Sequence, residues 1–112
     1  MAKPELEFFD SSQIPWKRPA GYPEGVWEKI LAWDEAGNVR TRLLRFDPGV
    51  KTSHTLTHEC WEEVYIISGG LIAGGRVFTA GMVAVRPPGM PHGPFEAPVG
   101  CMTFEVHYHS TS

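Results

Sequence analysis

Twelve glycines and ten prolines in 112 residues constrain this chain more than any other feature. Proline fixes φ and removes a backbone donor, and glycine weakens the interior of any regular element. At that density long helices are excluded and short strands joined by turns remain. The pattern predicts strands over residues 26–33, 39–46, 52–58, 62–68, 77–79, 82–86 and 101–109. Residues 34–38 form a turn in which Gly37 is free to take a positive φ, and Asp47-Pro48-Gly49 forms another. Gly69-Gly70 closes a strand, Gly74-Gly75 is a two-residue hairpin signal, and residues 87–98 are a Pro/Gly loop. Residues 1–25, interrupted by Pro4, Pro15, Pro19, Gly21 and Pro23, read as an arm anchored by Ile14, Trp16 and Tyr22. Residues 26–112 then form one all-β domain, an antiparallel barrel or sandwich.

Composition narrows the class further. With 42% hydrophobic and 21% charged residues the chain is globular rather than disordered. A net charge of −3 supplies no basic patch for nucleic acid. No apolar run reaches the length of a membrane span. The first ten residues carry acids and no apolar segment, which is not the pattern of a signal peptide. Cys60 and Cys101 form neither a disulfide framework nor a CxxC pair, so a reduced, cytoplasmic protein with two small buried thiols is expected.

Two strands carry more information than the rest. Val64, Tyr65, Ile66 and Ile67 are apolar on both faces, so one face fills the barrel and the other needs a cover, expected to be a second subunit in a homodimer. The last strand alternates cleanly. Met102, Phe104, Val106 and Tyr108 lie on one face, and Thr103, Glu105, His107 and His109 on the other. His107 and His109 on that polar face read as surface or interface histidines, with an extra ligand or proton shuttle as the functional alternative. Arg40 and Arg42 share a face of another strand, read as solvated, although either has the chemistry to hold a substrate carboxylate.

The histidines carry the chemistry. His54, His58 and Glu62, with His92 downstream, supply imidazole nitrogens and one carboxylate, a ligand set for a divalent transition metal such as Fe, Zn, Mn or Ni. At i, i+4 and i+8 the first three would share a helix face, as in zincin peptidases, but Thr55 stands where those enzymes need glutamate. The segment is also rich in Thr and Ser, poor helix formers. As a strand, His54, Leu56 and His58 share a face, a short loop returns Glu62 to it, and His92 arrives from a neighbour. Glu59 and Glu63 are the fallback carboxylates.

These spacings resemble the cupins. Gly81, five residues, Pro87-Pro88-Gly89, two residues and His92 match the second cupin motif, with Glu96 where that motif ends in asparagine. His58, three residues, Glu62, six residues and Gly69 match the second half of the first motif. Leu56 occupies its first histidine position, and His54, two residues earlier on the same face, is expected to take that place through a shift or bulge. Leu44-Arg45-Phe46 with Pro48-Gly49, and Arg86-Pro87-Pro88-Gly89 with His92-Gly93-Pro94, are similar to the zinc-binding half of some bacterial anti-sigma factors. The resemblance spans residues 26–109. It implies a jelly-roll barrel of antiparallel strands, usually dimeric, holding a metal on two or three histidines and often a glutamate.

It does not imply one reaction. The expectation is a small mononuclear metalloenzyme acting on a small chelating carbonyl or enol, foremost an Fe(II)-dependent dioxygenase. A metal-dependent isomerase or lyase, and a non-catalytic metal-binding sensor or ligand-binding module, are the alternatives. Trp27, Trp33, Trp61, Phe95 and Phe104 are candidates to line a pocket, with plain core as the other reading.

Overall fold

In the computed structural model, which describes residues 3–110, the chain is a single curled antiparallel sheet. Its strands are β1 (Val26–Asp34), β2 (Val39–Phe46), β3 (Val50–Lys51), β4 (Trp61–Ala73), β5 (Arg76–Thr79), β6 (Val83–Arg86), β7 (Glu96–Ala97) and β8 (Cys101–Tyr108). They run in the order β1-β2-β8-β4-β7-β3, with β5 and β6 also paired to β4. Among the described residues the only helical piece is a 3-10 turn at Ser11–Gln13. The all-β reading of the glycine and proline density therefore holds.

Register places the interior in rows. Arg86, Glu62 and His107 stand side by side across β6, β4 and β8. The next row holds Ala84, Val64, Glu105 and Arg42, and the one after holds Ile66, Thr103 and Leu44. At the far end Cys101 faces Phe46, and Phe46 faces Val26. The apolar core sits at that end, with Tyr22 and Phe95 packed against it. The barrel thus grades from charged at one mouth to apolar at the other.

Several expected elements change. Residues 52–58 form no strand; their sole pairing is the bridge between Leu56 and His92. Short polar side chains there make other bonds instead: Ser53 pairs with the adjacent His54 ring, and Thr52 Oγ1 accepts from the Phe95 amide at 2.7 Å across the sheet. The strand expected to stop at Gly69-Gly70 continues to Ala73. Here the glycines permit close approach: a Cβ at Gly69 would overlap the Gly100 carbonyl oxygen. In the β1–β2 turn Asn38, not Gly37, takes the positive φ, at 52°. Gly74 and Gly75 do close a hairpin, with φ of 58° and 76° between the paired Ala73 and Arg76. The loop of residues 87–98 contains β7.

The largest correction concerns faces. Thr103, Glu105 and His107 point into the barrel, while Phe104 is exposed. Arg42, read as solvated, is 1% exposed, the least exposed charged side chain among the described residues. Its Nε donates to Glu105 Oε1 at 2.8 Å, its Nη1 to Glu28 Oε1 at 3.1 Å and its Nη2 to the Tyr22 hydroxyl at 3.3 Å. The polar face is buried because opposite charges on adjacent strands neutralise one another there. Outside, the arm lies along β1 through the Lys17–Glu28 bridge, and Trp16 sits between Lys29 and Arg45.

Candidate metal centre

Glu62 is the hub. It comes from β4, is 2% exposed, and splits its two oxygens between different partners. Oε2 lies 2.8 Å from His107 Nε2 and 3.3 Å from His58 Nε2. Oε1 accepts from Arg86 Nη1 at 2.6 Å and lies 3.9 Å from His92 Nε2. Sheet register alone delivers Arg86 and His107 to it, since both are its direct cross-strand neighbours. The two loop histidines are delivered by backbone bonds. Leu56 and His92 exchange amide hydrogen bonds at 2.8 and 2.9 Å, and the Gly89 amide donates to the His58 carbonyl at 2.8 Å. The rings of His92 and His107 then flank His58 with centroids 4.9 and 5.1 Å away.

Donor atoms of His58, Glu62 and His107 all lie within 4.8 Å of one another, close enough to share an ion. Ligands bonded to one ion at roughly 2.0–2.2 Å stand about 3–3.5 Å apart, near the spacing around Glu62 Oε2. His58 Nε2 is buried without a hydrogen-bond partner, which suits a nitrogen that completes its bonding on a metal. His92 directs Nδ1 at the Met90 carbonyl, 3.4 Å away, leaving Nε2 toward the cluster, a common second contact of ligating histidines. The donor set fits a divalent transition metal.

The electrostatics suit a cation. Burial favours the neutral acid at Glu62, but His107, His58, His92 and Arg86 outweigh it and hold the carboxyl far below the usual range. At His107 burial opposes the imidazolium, yet Glu105 and Glu62 prevail and raise its pKa. His92 shifts down, chiefly by burial. Cys60 and Cys101 are free and buried, and burial pushes the Cys101 thiol up to about 11.

Of the four residues expected to ligate, the structure brings His58, Glu62 and His92 together. His54 stands apart, exposed, its Nδ1 paired with the Ser53 hydroxyl at 3.1 Å. Without a strand over residues 52–58, period two cannot carry His54 to the site. His107 joins the cluster, although the sequence alone reads it as a surface or interface histidine with ligation only as the alternative. The signal was a histidine spaced two residues from an acid on one strand face, and reading that face as outward hid it. Of the aromatic candidates, Phe95 lines the interior while Trp33 and Phe104 are exposed.

Comparison with known proteins supplies the family. Among curated proteins none matches the chain. Solved structures share its fold. An RmlC-like cupin from Shewanella frigidimarina is 21% identical with a TM-score of 0.74, covering 100% of this chain and 97% of its own. An acetylacetone dioxygenase from Acinetobacter johnsonii is 14% identical with a TM-score of 0.73, covering 93% and 73%. The anti-sigma factor ChrR, in complex with SigE of Rhodobacter sphaeroides, is 20% identical with a TM-score of 0.66, covering 87% and 51%. The sequence model of the ChrR cupin-like domain matches residues 5–111, nearly the whole chain, and the chain belongs to that cupin family.

Proposed function

We propose that His58, Glu62 and His107, with His92 beside them, hold one divalent transition metal and that the chain is a small mononuclear metalloenzyme acting on a chelating carbonyl or enol. The observation that carries this reading is the convergence of two imidazole nitrogens on one oxygen of a buried carboxylate, one of those nitrogens having no hydrogen-bond partner. An ion at this place supplies Lewis-acid polarisation of a bidentate carbonyl or enol and, as Fe(II), reaction with O2. Arg86 fixes the Glu62 carboxylate by occupying Oε1, so that Oε2 is the oxygen presented to the ion. Glu105, 3.7 Å from His107 Nε2 and locked by Arg42 and Thr103, sets the field around that ring. The dioxygenase fold neighbour supports oxidation of a β-diketone as the reaction to test first.

The family match to ChrR supports a second reading, a metal-binding sensing module without turnover, and a metal-dependent isomerase or lyase is a third. Protein purified without chelators should carry about one metal ion per chain by mass spectrometry. His107→Ala should lose occupancy, with affinity falling by about 10-fold or more, while His54→Ala should not. Oxygen uptake on acetylacetone with Fe(II) separates a dioxygenase from the other readings. Equal metal content in wild type and His107→Ala would remove His107 from the site.

We also infer a homodimer through the outer sheet face. Val83, Tyr65 and Phe104 lie side by side there on β6, β4 and β8, each exposed, as one apolar row on a face that otherwise meets water.

A further inference from the structure

Among the described residues only two buried side-chain nitrogens lack a hydrogen-bond partner, Arg40 Nε and His58 Nε2. Both residues line the same cavity, about 350 Å³, which also touches His107, Cys60, Asn38 and His109. That volume lies within the usual range for small-molecule sites, roughly 300–1,000 Å³. Its wall includes His58 and His107, two of the three residues whose donors converge, so a molecule inside it lies beside the proposed metal site.

Arg40 is placed for a purpose the fold does not use. It lies on the inward face of β2, two residues from Arg42, one step beyond the paired Thr41 and Val106. Extending that register sets Arg40 beside His107. Arg42, one row deeper, is fully engaged by Glu28, Glu105 and Tyr22. No ion pair reaches Arg40 among the described residues. Its guanidinium is permanently charged and offers a planar fork that matches a carboxylate. Adjacent strands stand about 4.8 Å apart, a span that two methylenes bridge between a metal-chelating head and a carboxylate on Arg40. Glu59 lines the same cavity and is exposed, so it disfavours ligands with further negative groups.

We propose that this cavity is the ligand site and that it takes a small organic anion with a chelating dicarbonyl or enol at one end and a carboxylate at the other, the carboxylate held by Arg40. This deepens the proposed metal function and rests on it. Binding to the zinc-loaded full chain can be read by ultraviolet difference titration and calorimetry, with two matched probes. One is 4,6-dioxoheptanoate; the other is heptane-2,4-dione, in which a methyl replaces the carboxylate.

Wild type should prefer the carboxylate probe by about tenfold or more, the weight of a charge-assisted contact. Arg40→Gln should abolish that preference while leaving heptane-2,4-dione affinity and zinc content unchanged, and Arg40→Lys should keep part of it. Equal affinities in wild type, or a preference that survives in Arg40→Gln, would overturn the assignment. Failure of wild type to hold zinc would instead refute the metal reading. The Arg40 site is then decided on metal-free protein with glutarate: binding weakened by Arg40→Gln sustains it, and no binding, or binding indifferent to the substitution, overturns it.

Discussion

Replacing Arg42 with methionine should destabilise the domain by about 3–5 kcal/mol, the usual consequence of removing one partner from a buried ion pair. Methionine nearly matches the arginine stem in length, so cavity formation is a small part of the loss. The larger part is two stranded carboxylates. Glu28 and Glu105 are 7% and 6% exposed at their side chains, and Arg42, at 1%, gives each a direct ion pair. Against a typical total of about 5–15 kcal/mol, this single change removes about a fifth or more of the stability. For a chain of this size roughly 4 °C accompanies each kcal/mol, so the Tm should fall by roughly 12–20 °C. Thermal unfolding followed by circular dichroism, with urea denaturation for the free energy, measures both. The pH dependence provides a second handle. Burial raises the Glu105 pKa, but the Arg42 charge leads the contacts that outweigh it and hold the carboxyl below its ordinary range. A depressed carboxylate stabilises the fold above its unfolded pKa, about 4.3, and that stability is lost as pH falls through the folded value. Arg42→Met deletes this contribution. The gap between wild type and variant should therefore be widest near neutrality and narrow as acid neutralises the stranded carboxylates. Adding Glu105→Gln to the variant should recover part of the loss. A deficit below about 1 kcal/mol that stays constant across pH would refute the reasoning.

Three further outcomes are expected. Gly69→Ala should cost about 2–3 kcal/mol in urea melts, because Gly69 has φ of 72° and its Cβ would meet the Gly100 carbonyl; Gly21→Ala, at φ of 84° with open space around it, should cost only about 1 kcal/mol. In metal-free protein the raised pKa of His107 means stability that is full below about pH 6.5 and lost as pH climbs through the folded value, so Tm should fall as pH rises from about 6.5 in wild type and less steeply in His107→Gln. Equal slopes would separate His107 from that titration. Phe104→Glu should convert dimers to monomers in light scattering at micromolar concentration, and an unchanged mass would place any interface elsewhere.

Much of the fold was legible because its signals are local. Gly74-Gly75 closes its hairpin through positive φ at both residues, a property of glycine itself. The alternation in β8 was equally plain. Of the clustered residues, His58, Glu62 and His92 sit at spacings that the chain displays openly. What the sequence concealed depends on distant partners. Whether Gly69 ends a strand or admits a neighbour is decided by Gly100, 31 residues away in a chain segment with no local signature. Whether His54 shares a face with His58 depended on a strand that the Ser53–His54 pair and the bond from distant Phe95 to Thr52 replace.

The inverted face of β8 has a physical lesson that one strand alone could not teach. Alternation says that two faces differ, not which of them is interior. Hydrophobicity chose the wrong one here because the apolar row of Tyr65, Phe104 and Val83 lies outside. Taken across strands, however, the charges on the polar faces are complementary. β2 contributes Arg42, β1 Glu28 and β8 Glu105, and two carboxylates share one guanidinium. An arginine that finds one acid in its own row and a second one row deeper has partners for its fork and can be buried; a solvated arginine needs no such arrangement. One row nearer the mouth the balance reverses. In the proposed function Glu62 and His107 take a cation there, and Arg40 lines the cavity beside His107 with no ion pair among the described residues. The deep row is electrostatically closed and serves stability. On the proposed function the mouth row serves binding, so the same polar face would carry both roles, divided by depth.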